Sequence, residues 1–461
     1  MRINLPAIGQ SYRHDDLPLS AQVTRNWYPE INQETSVVVS LQPYPGAKAF
    51  ASTITEWDRG CTLWRGEVYK VTGYALYKIN AAGTKTALGY IWGVGRCTFP
   101  ASADFLVVVT SGHAYKYDGT VVTEITDSDL ESPNYGAYLN THWIYQGEGS
   151  RFAVSDAGSP GTINGLNYAS AESGGGDLVR PYVFNQYLYL FCERITETWF
   201  NSGVGSPPFD RVDGGIAHVG LGAADSLAHN DNYMYFIGDD RIVYQMAGMA
   251  QTRQISTIPL AQAFASYDSV SDAVGFCFTL NGQNFYQVSV GGATWAFNES
   301  AGGWFEVSVG DDERQHPATS HVYAFGKNLI ADGGDLLELS TSEALYNGEP
   351  IIRERVTGLI SGETLGQEYI GRPLFMSRLE IIIKGIPPAG EAPEIMLNWS
   401  DDAGYTWSNE RRIVCGELGN YTFKAIAHQL GRFYDRVVKV RISDESRYSL
   451  HRITGDIHAG T

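Results

Sequence analysis

What this chain has little of narrows it quickly. Lys and Arg number 33 against 51 Asp and Glu, for a formal net charge of −18, and no basic run occurs. Nonspecific nucleic-acid binding draws on clustered cations that neutralise phosphates, so conventional duplex recognition is excluded. Cysteine is scarce: Cys61, Cys97, Cys192, Cys277 and Cys415 lie far apart and include no CxxC pair. That spacing argues against a zinc knuckle or a thioredoxin-like motif, and it fits buried free thiols in a chain folded in the cytosol. Long apolar runs are missing. Phe105–Val109 and Leu379–Ile383 are of strand length, far short of the roughly 20 residues a membrane helix needs. The N-terminus reaches Arg13, His14, Asp15 and Asp16 before an apolar stretch can develop, which reads as no targeting segment. Helical periodicity is nearly absent too, apart from one short stretch at Ile258 to Ser266. The reading is of a soluble protein built from strands.

What is present agrees. Glycine reaches 51 residues, tyrosine 28 and aromatics 12%, while charged residues make only 18%, a mix suited to short strands joined by tight turns. A length of 461 residues suggests two or three domains at about 150 residues each. From about residue 60 to 345, alternating segments such as Val68–Thr72, His113–Tyr117, Tyr187–Phe191, Tyr233–Ile237 and Phe285–Val290 put every second side chain on one face. Asp118-Gly119, Asn281-Gly282 and Asp332-Gly333 are hairpin dipeptides between them. The unit returns roughly every 40 to 45 residues, the length of a four-stranded propeller blade. The expected architecture is all-β: a β-propeller of six or seven blades, with a pair of β-sandwiches as the competing arrangement. Past residue 345 the rhythm changes. Strand candidates near 351–358, 374–384, 394–400, 407–414, 420–427, 435–442 and 449–457 suggest a β-sandwich. The expected division is residues 1–55 as an N-terminal arm that closes the propeller or reaches a neighbour, 56–345 as the propeller, and 346–461 as the sandwich.

One hairpin stands out. Ser400-x-Asp402-x-Gly404-x-Thr406-Trp407 has the spacing of an Asp-box, a signature of sialidases and other propeller proteins. The pattern has a local cause: the Asp side chain accepts N–H bonds from its own turn, Gly takes the φ > 0 position, and Trp packs behind. It promises a stiff hairpin rather than a reaction. A glycan-binding or sialidase-like propeller is the alternative it raises.

Chemistry-bearing constellations are otherwise missing. There is no GxSxG elbow, HExxH or P-loop, and Gly203-Val204-Gly205 has no helix after it. The ten histidines are scattered without metal-ligand spacing. The acid pairs Asp15-Asp16, Asp239-Asp240, Asp311-Asp312 and Asp401-Asp402 sit in polar turns and read as solvated loops rather than a Ca²⁺ site or a glycosidase dyad. The expectation is no catalytic residue, no cofactor and no metal.

Four blocks carry a resemblance. They are Gly9-Gln10-Ser11-Tyr12 with Asn26-Trp27-Tyr28-Pro29-Glu30 and Tyr44-Pro45-Gly46; Thr196–Gly203 with Pro208–Arg211 and Gly214–Ile216; Gly220-Leu221 with Ser226-Leu227-Ala228; and Leu397–Arg411, extended by Tyr434–Val437 and Arg441–Asp444. In this order, they resemble the packaged-DNA stabilisation proteins of short-tailed bacteriophages, also called tail accessory factors, tail hubs or nozzles. The resemblance implies a non-catalytic virion component made in the host cytoplasm. It implies a ring, expected to be a hexamer, below the portal and adaptor, which retains packaged DNA, forms its exit channel and carries the needle, spikes or fibres. Such a protein would let genomic DNA pass during ejection without binding its sequence. Exposed aromatics and arginines anchor interfaces, and Trp27, Tyr28, Trp199 and Arg211 are the candidates here. A propeller scaffold unconnected with phage is the remaining alternative.

Overall fold

The computed structural model describes residues 2–13, 21–31, 38–52, 57–387, 392–419 and 421–460. Among them, helix is confined to Ile258–Ser266, a four-residue turn at Gly362–Leu365 and two 3₁₀ turns. Thr257 caps Ile258–Ser266, its side chain accepting from the Leu260 N–H, and a proline stands in the first turn.

The propeller is a ring of antiparallel sheets. Five have four strands: those at residues 58–90, 136–170, 178–217 and 228–254, and a last one made of Ser320–Ala324, Lys327–Asp332, Asp335–Ser340 and Gly46–Ala51; the four strands at 274–306 form a further blade whose sheet continues through Ala21–Arg25 into the C-terminal part. A three-stranded sheet, Leu106–Thr110, His113–Tyr117 and Val122–Glu124, stands between the first two. Each blade is covered on both faces, so inner strands are apolar at every position rather than at alternate ones. Leu106 and Val108 pack toward Trp64 and Tyr69 of the preceding blade, while Val107 and Val109 pack toward Trp143 and Tyr145 of the next. Leu188 and Leu190 face Ile144 and Val154 on one side, and Tyr189 and Phe191 face Met234 and Phe236 on the other. Ala51, Val68, Ile79, Val322 and Leu329 form one cluster that joins the last blade to the first, so the ring is closed.

The C-terminal part is a β-sandwich. One sheet runs Trp27–Ile31, Val38–Pro43, Tyr448–Ala459, Leu374–Gly385, Thr422–Phe433, Gly416–Gly419, with Arg2–Asn4 on its flank. The other runs Ala21–Arg25, Arg353–Val356, Asp435–Ile442, Glu394–Ser400, Arg411–Val414. The expected strand at 407–414 starts only at Arg411, because the hairpin consumes the residues before it. Gly416–Gly419 is a further short strand that the sequence pattern does not announce.

The two parts share strands. Ala21–Arg25 pairs with Arg353–Val356 and, at Arg25, runs parallel to blade strand Gly303–Glu306. Strand Trp27–Ile31 sends alternate side chains to two cores, as a period of two requires. Trp27 enters the sandwich core with Leu379, Leu397 and Ile453, and Tyr28 enters a propeller core with Phe285 and Phe305. Asn26, at φ 54°, is the corner between them. Its side chain accepts from Ser308 N–H at 2.9 Å and donates to Ile352 O at 2.7 Å. An ion network crosses the same seam: Arg25 meets Glu306 and Glu313, and Glu313 also meets Arg441 at 2.6 Å.

Candidate functional surfaces

The hairpin after Glu394–Ser400 takes the form the Asp-box predicts. Ser400 Oγ donates to Asp402 Oδ1 at 2.6 Å and accepts from Gly404 N–H at 2.8 Å. Asp402 accepts the Thr406 N–H at 2.8 Å and the Thr406 hydroxyl. These bonds from Ser400 and Thr406 hold the Asp402 carboxyl down at about 2. Gly404 stands at φ 96°. Trp407 packs with Val23, Val356, Leu359 and Val437, and Lys439 Nζ lies 4.0 Å above its ring. Asp401 is not a loose solvated acid: it takes both arms of the fully buried Arg436, at 2.6 and 2.8 Å. Asp239-Asp240 and Asp311-Asp312 lie in turns; Asp15-Asp16 falls outside the described residues.

The proposed interface residues separate. Trp27, Tyr28 and Trp199 are buried within the chain, at 0%, 2% and 8% exposure, so they are not surface anchors. The reason is that their strands are covered on both faces, leaving an aromatic no outward side. Trp27 Nε1 donates to Tyr448 O at 2.7 Å. Trp199 Nε1 donates at 2.9 Å to Glu197, a carboxylate with no exposure that also accepts Ser173 N–H. Only Arg211 is at the surface, donating to Ser173 Oγ at 2.7 Å.

The exposed aromatics lie elsewhere. Trp57, Tyr74, Trp92 and Tyr90 form a continuous ladder on the first blade, with centroids 5.4, 5.9 and 6.2 Å apart in that order. Tyr90 and Trp92 are 71% and 57% exposed, and Val94 beside them is 70% exposed. The support is Arg59, fully buried, which donates to the carbonyls of Gly73, Ile91, Trp92 and Gly95 and to Thr110 Oγ1. Residues 68–103 around the ladder contain no Asp or Glu but carry Lys70, Lys78, Lys85 and Arg96. Sequence reading misses the ladder because Trp57, Tyr74 and the Tyr90–Trp92 segment are far apart in the chain. The available signal is that acid-free stretch.

The first strands of the blades line an open pocket of about 600 Å³. Its wall includes Cys61, Arg96, Arg180, Tyr182, His229, Cys277 and His321. The volume is that of a small-molecule pocket. Among the described residues no cluster of His, Cys, Asp and Glu could hold a metal, and no helix is long and apolar enough to cross a membrane.

Two family models agree with this architecture. The family model described as "Bacteriophage P22 Gp10, beta-propeller" matches residues 1–340, and "Bacteriophage P22 Gp10, beta-sandwich" matches 370–457. No curated protein matches in sequence. Among solved structures, the Pan2 WD40 domain of Neurospora crassa is 8% identical at a TM-score of 0.42, covering 65% of this chain and 95% of that one. BBS1N in complex with ARL6DN is 11% identical at 0.42, covering 69% and 99%. PorZ of Porphyromonas gingivalis is 12% identical at 0.40, covering 81% of this chain and 48% of its own.

Proposed function

This chain belongs to the bacteriophage P22 Gp10 family, structural proteins of the phage tail that stabilise packaged DNA, and from that membership we propose that it forms a hub ring. The ring sits below the portal and its adaptor, retains the packaged genome and gives it an exit channel. Six copies, the needle or spikes as cargo, the absence of catalysis and synthesis in the host cytoplasm all belong to this reading. The proposed division keeps a propeller at 56–345 and a sandwich at 346–461, but residues 1–55 are no separate arm: Ala21–Arg25, Trp27–Ile31 and Val38–Pro43 add strands to the sandwich, and Gly46–Ala51 closes the propeller. The carrying observation is the joint family match over propeller and sandwich.

The physical features support a particular geometry. In a ring of copies the exit channel lies between them. Six chains at −18 make a ring near −108, and an acidic wall lets DNA slide without sticking. The same charge makes copies repel, which favours contacts where acids are scarce. The ladder of Trp57, Tyr74, Tyr90 and Trp92 in its acid-free surroundings is such a place, and Trp and Tyr are the side chains that anchor interfaces. A closed ring uses heterologous contacts, so this face meets a different, acidic face of the next copy. Arg211 is a candidate for the rim of that contact.

The test uses DNA-filled heads carrying the adaptor but lacking this protein. Adding the full chain is expected to protect the genome from nuclease in a dose-dependent way. A folded chain that leaves the DNA leaking overturns the retention role.

A further inference from the structure

The cavity inside the propeller is chemically unlike the rest of the molecule. The chain carries 51 acids in 461 residues, yet none of the residues lining the cavity is Asp or Glu, while Arg96, Arg180, His229 and His321 all reach its wall. The acids nearest the arginines stand behind them. Asp58, at 1% side-chain exposure, lies 3.0 Å from Lys70 and 3.7 Å from Arg96. Asp225 lies 3.6 Å from Arg180. Three cations against two carboxylates leave one positive charge in surplus, facing a wall without acids.

The arginines are fixed and only partly used. Arg96 donates to Thr319 O at 2.9 Å. Arg180 donates to Ala224 O at 2.7 Å, and its guanidinium stacks 5.0 Å from the Tyr135 ring and 5.4 Å from the Tyr182 ring. Its Nε is buried with no hydrogen-bond partner among the described residues. A planar guanidinium held by aromatic rings at the wall of a pocket is suited to an oxyanion. The Tyr182 hydroxyl and His229 Nδ1, 2.6 Å apart, and the Ser320 and Thr98 hydroxyls add neutral polar groups to the same wall.

We propose that the propeller cavity binds a small oxyanion-bearing molecule, one phosphate or carboxylate head between Arg96 and Arg180. The size of the cavity admits more than the head alone, and Phe276 and Tyr323 offer apolar and aromatic surface to a body attached to it. This inference does not rest on the hub reading and survives its failure.

Calorimetric titration of the full chain at constant ionic strength, with inorganic phosphate in one arm and acetate in the other, tests it. The expected result is saturable binding of phosphate, acetate or both, one per chain, with Kd at or below about 1 mM. The arms tell which head is preferred. The double variant Arg96→Gln/Arg180→Gln is expected to bind ten- to a hundredfold more weakly, on the order of one or two lost charged hydrogen bonds. The surface variant Arg412→Gln is expected to bind as before. Absence of saturation in both arms, or unchanged affinity in the double variant, overturns the proposal. Should the double variant fail to fold, anomalous scattering from tungstate diffused into crystals of the unaltered chain decides. Density inside the propeller supports the site, and density only on the outer surface overturns it.

Discussion

At the scale of single residues, buried polar groups do more here than exposed ones. Arg59 satisfies four carbonyls and a hydroxyl at once, and removing one partner of buried hydrogen bonds leaves the other unsatisfied. Arg59→Met is therefore expected to cost about 2–4 kcal/mol, measured as a lower midpoint in urea with unchanged slope. The Trp57 and Trp92 emission should shift in the folded variant as the ladder loosens. Asp402 makes a prediction with a sign. Its folded pKa, held down by Ser400 and Thr406 to about 2, lies below the unfolded value of roughly 3.9. The hairpin is thus supported above the unfolded value and loses that support as pH falls through about 2. Amide exchange at Thr406 should stay protected at pH 4, quicken toward pH 2, and already be fast at neutral pH in Asp402→Ala.

At the scale of elements, the strand carrying Trp27 and Tyr28 is the most informative. Both side chains are buried, yet they belong to different cores. Trp27→Ala is expected to cost about 3–5 kcal/mol and to raise hydrogen exchange first in Leu374–Gly385 and Tyr448–Ala459. Tyr28→Ala should raise it first in Gln283–Val290; if both variants loosen the same strands, the two cores are one cooperative unit. Much of this level was legible in the chain. Hairpin dipeptides, alternating strands and the helix at Ile258–Ser266 all follow from local pattern. The Asp-box geometry was legible too, since every bond in it lies within a few residues. Pairings of distant strands were not. Nothing around Trp27 in sequence shows that its indole will reach Tyr448, and an aromatic pair on a doubly covered strand looks the same as one on a surface. The ladder escaped for the same reason, because Trp57, Tyr74, Tyr90 and Trp92 meet only after the blade has folded.

At the scale of the whole molecule, the acidic net charge and the aromatic ladder beside its acid-free stretch oppose each other. Replacing ladder residues, as in Tyr90→Ser with Trp92→Ser, should leave thermal stability nearly unchanged because both are exposed. It should reduce ring occupancy on adaptor-bearing heads, counted by electron microscopy, and unaltered occupancy would remove the ladder from the interface. The shared strands carry one more consequence, for synthesis. The indole of Trp27 and the carbonyl it meets are separated by 421 residues, and Gly46–Ala51 waits for Asp335–Ser340. At ribosomal speeds of 5–20 residues per second, the Trp27 indole waits roughly 20–80 s for that carbonyl, although its own strand pairs at once with Val38–Pro43. Meanwhile the free edges of that hairpin and of Gly46–Ala51 stand open to chaperones and to pairing with other nascent chains.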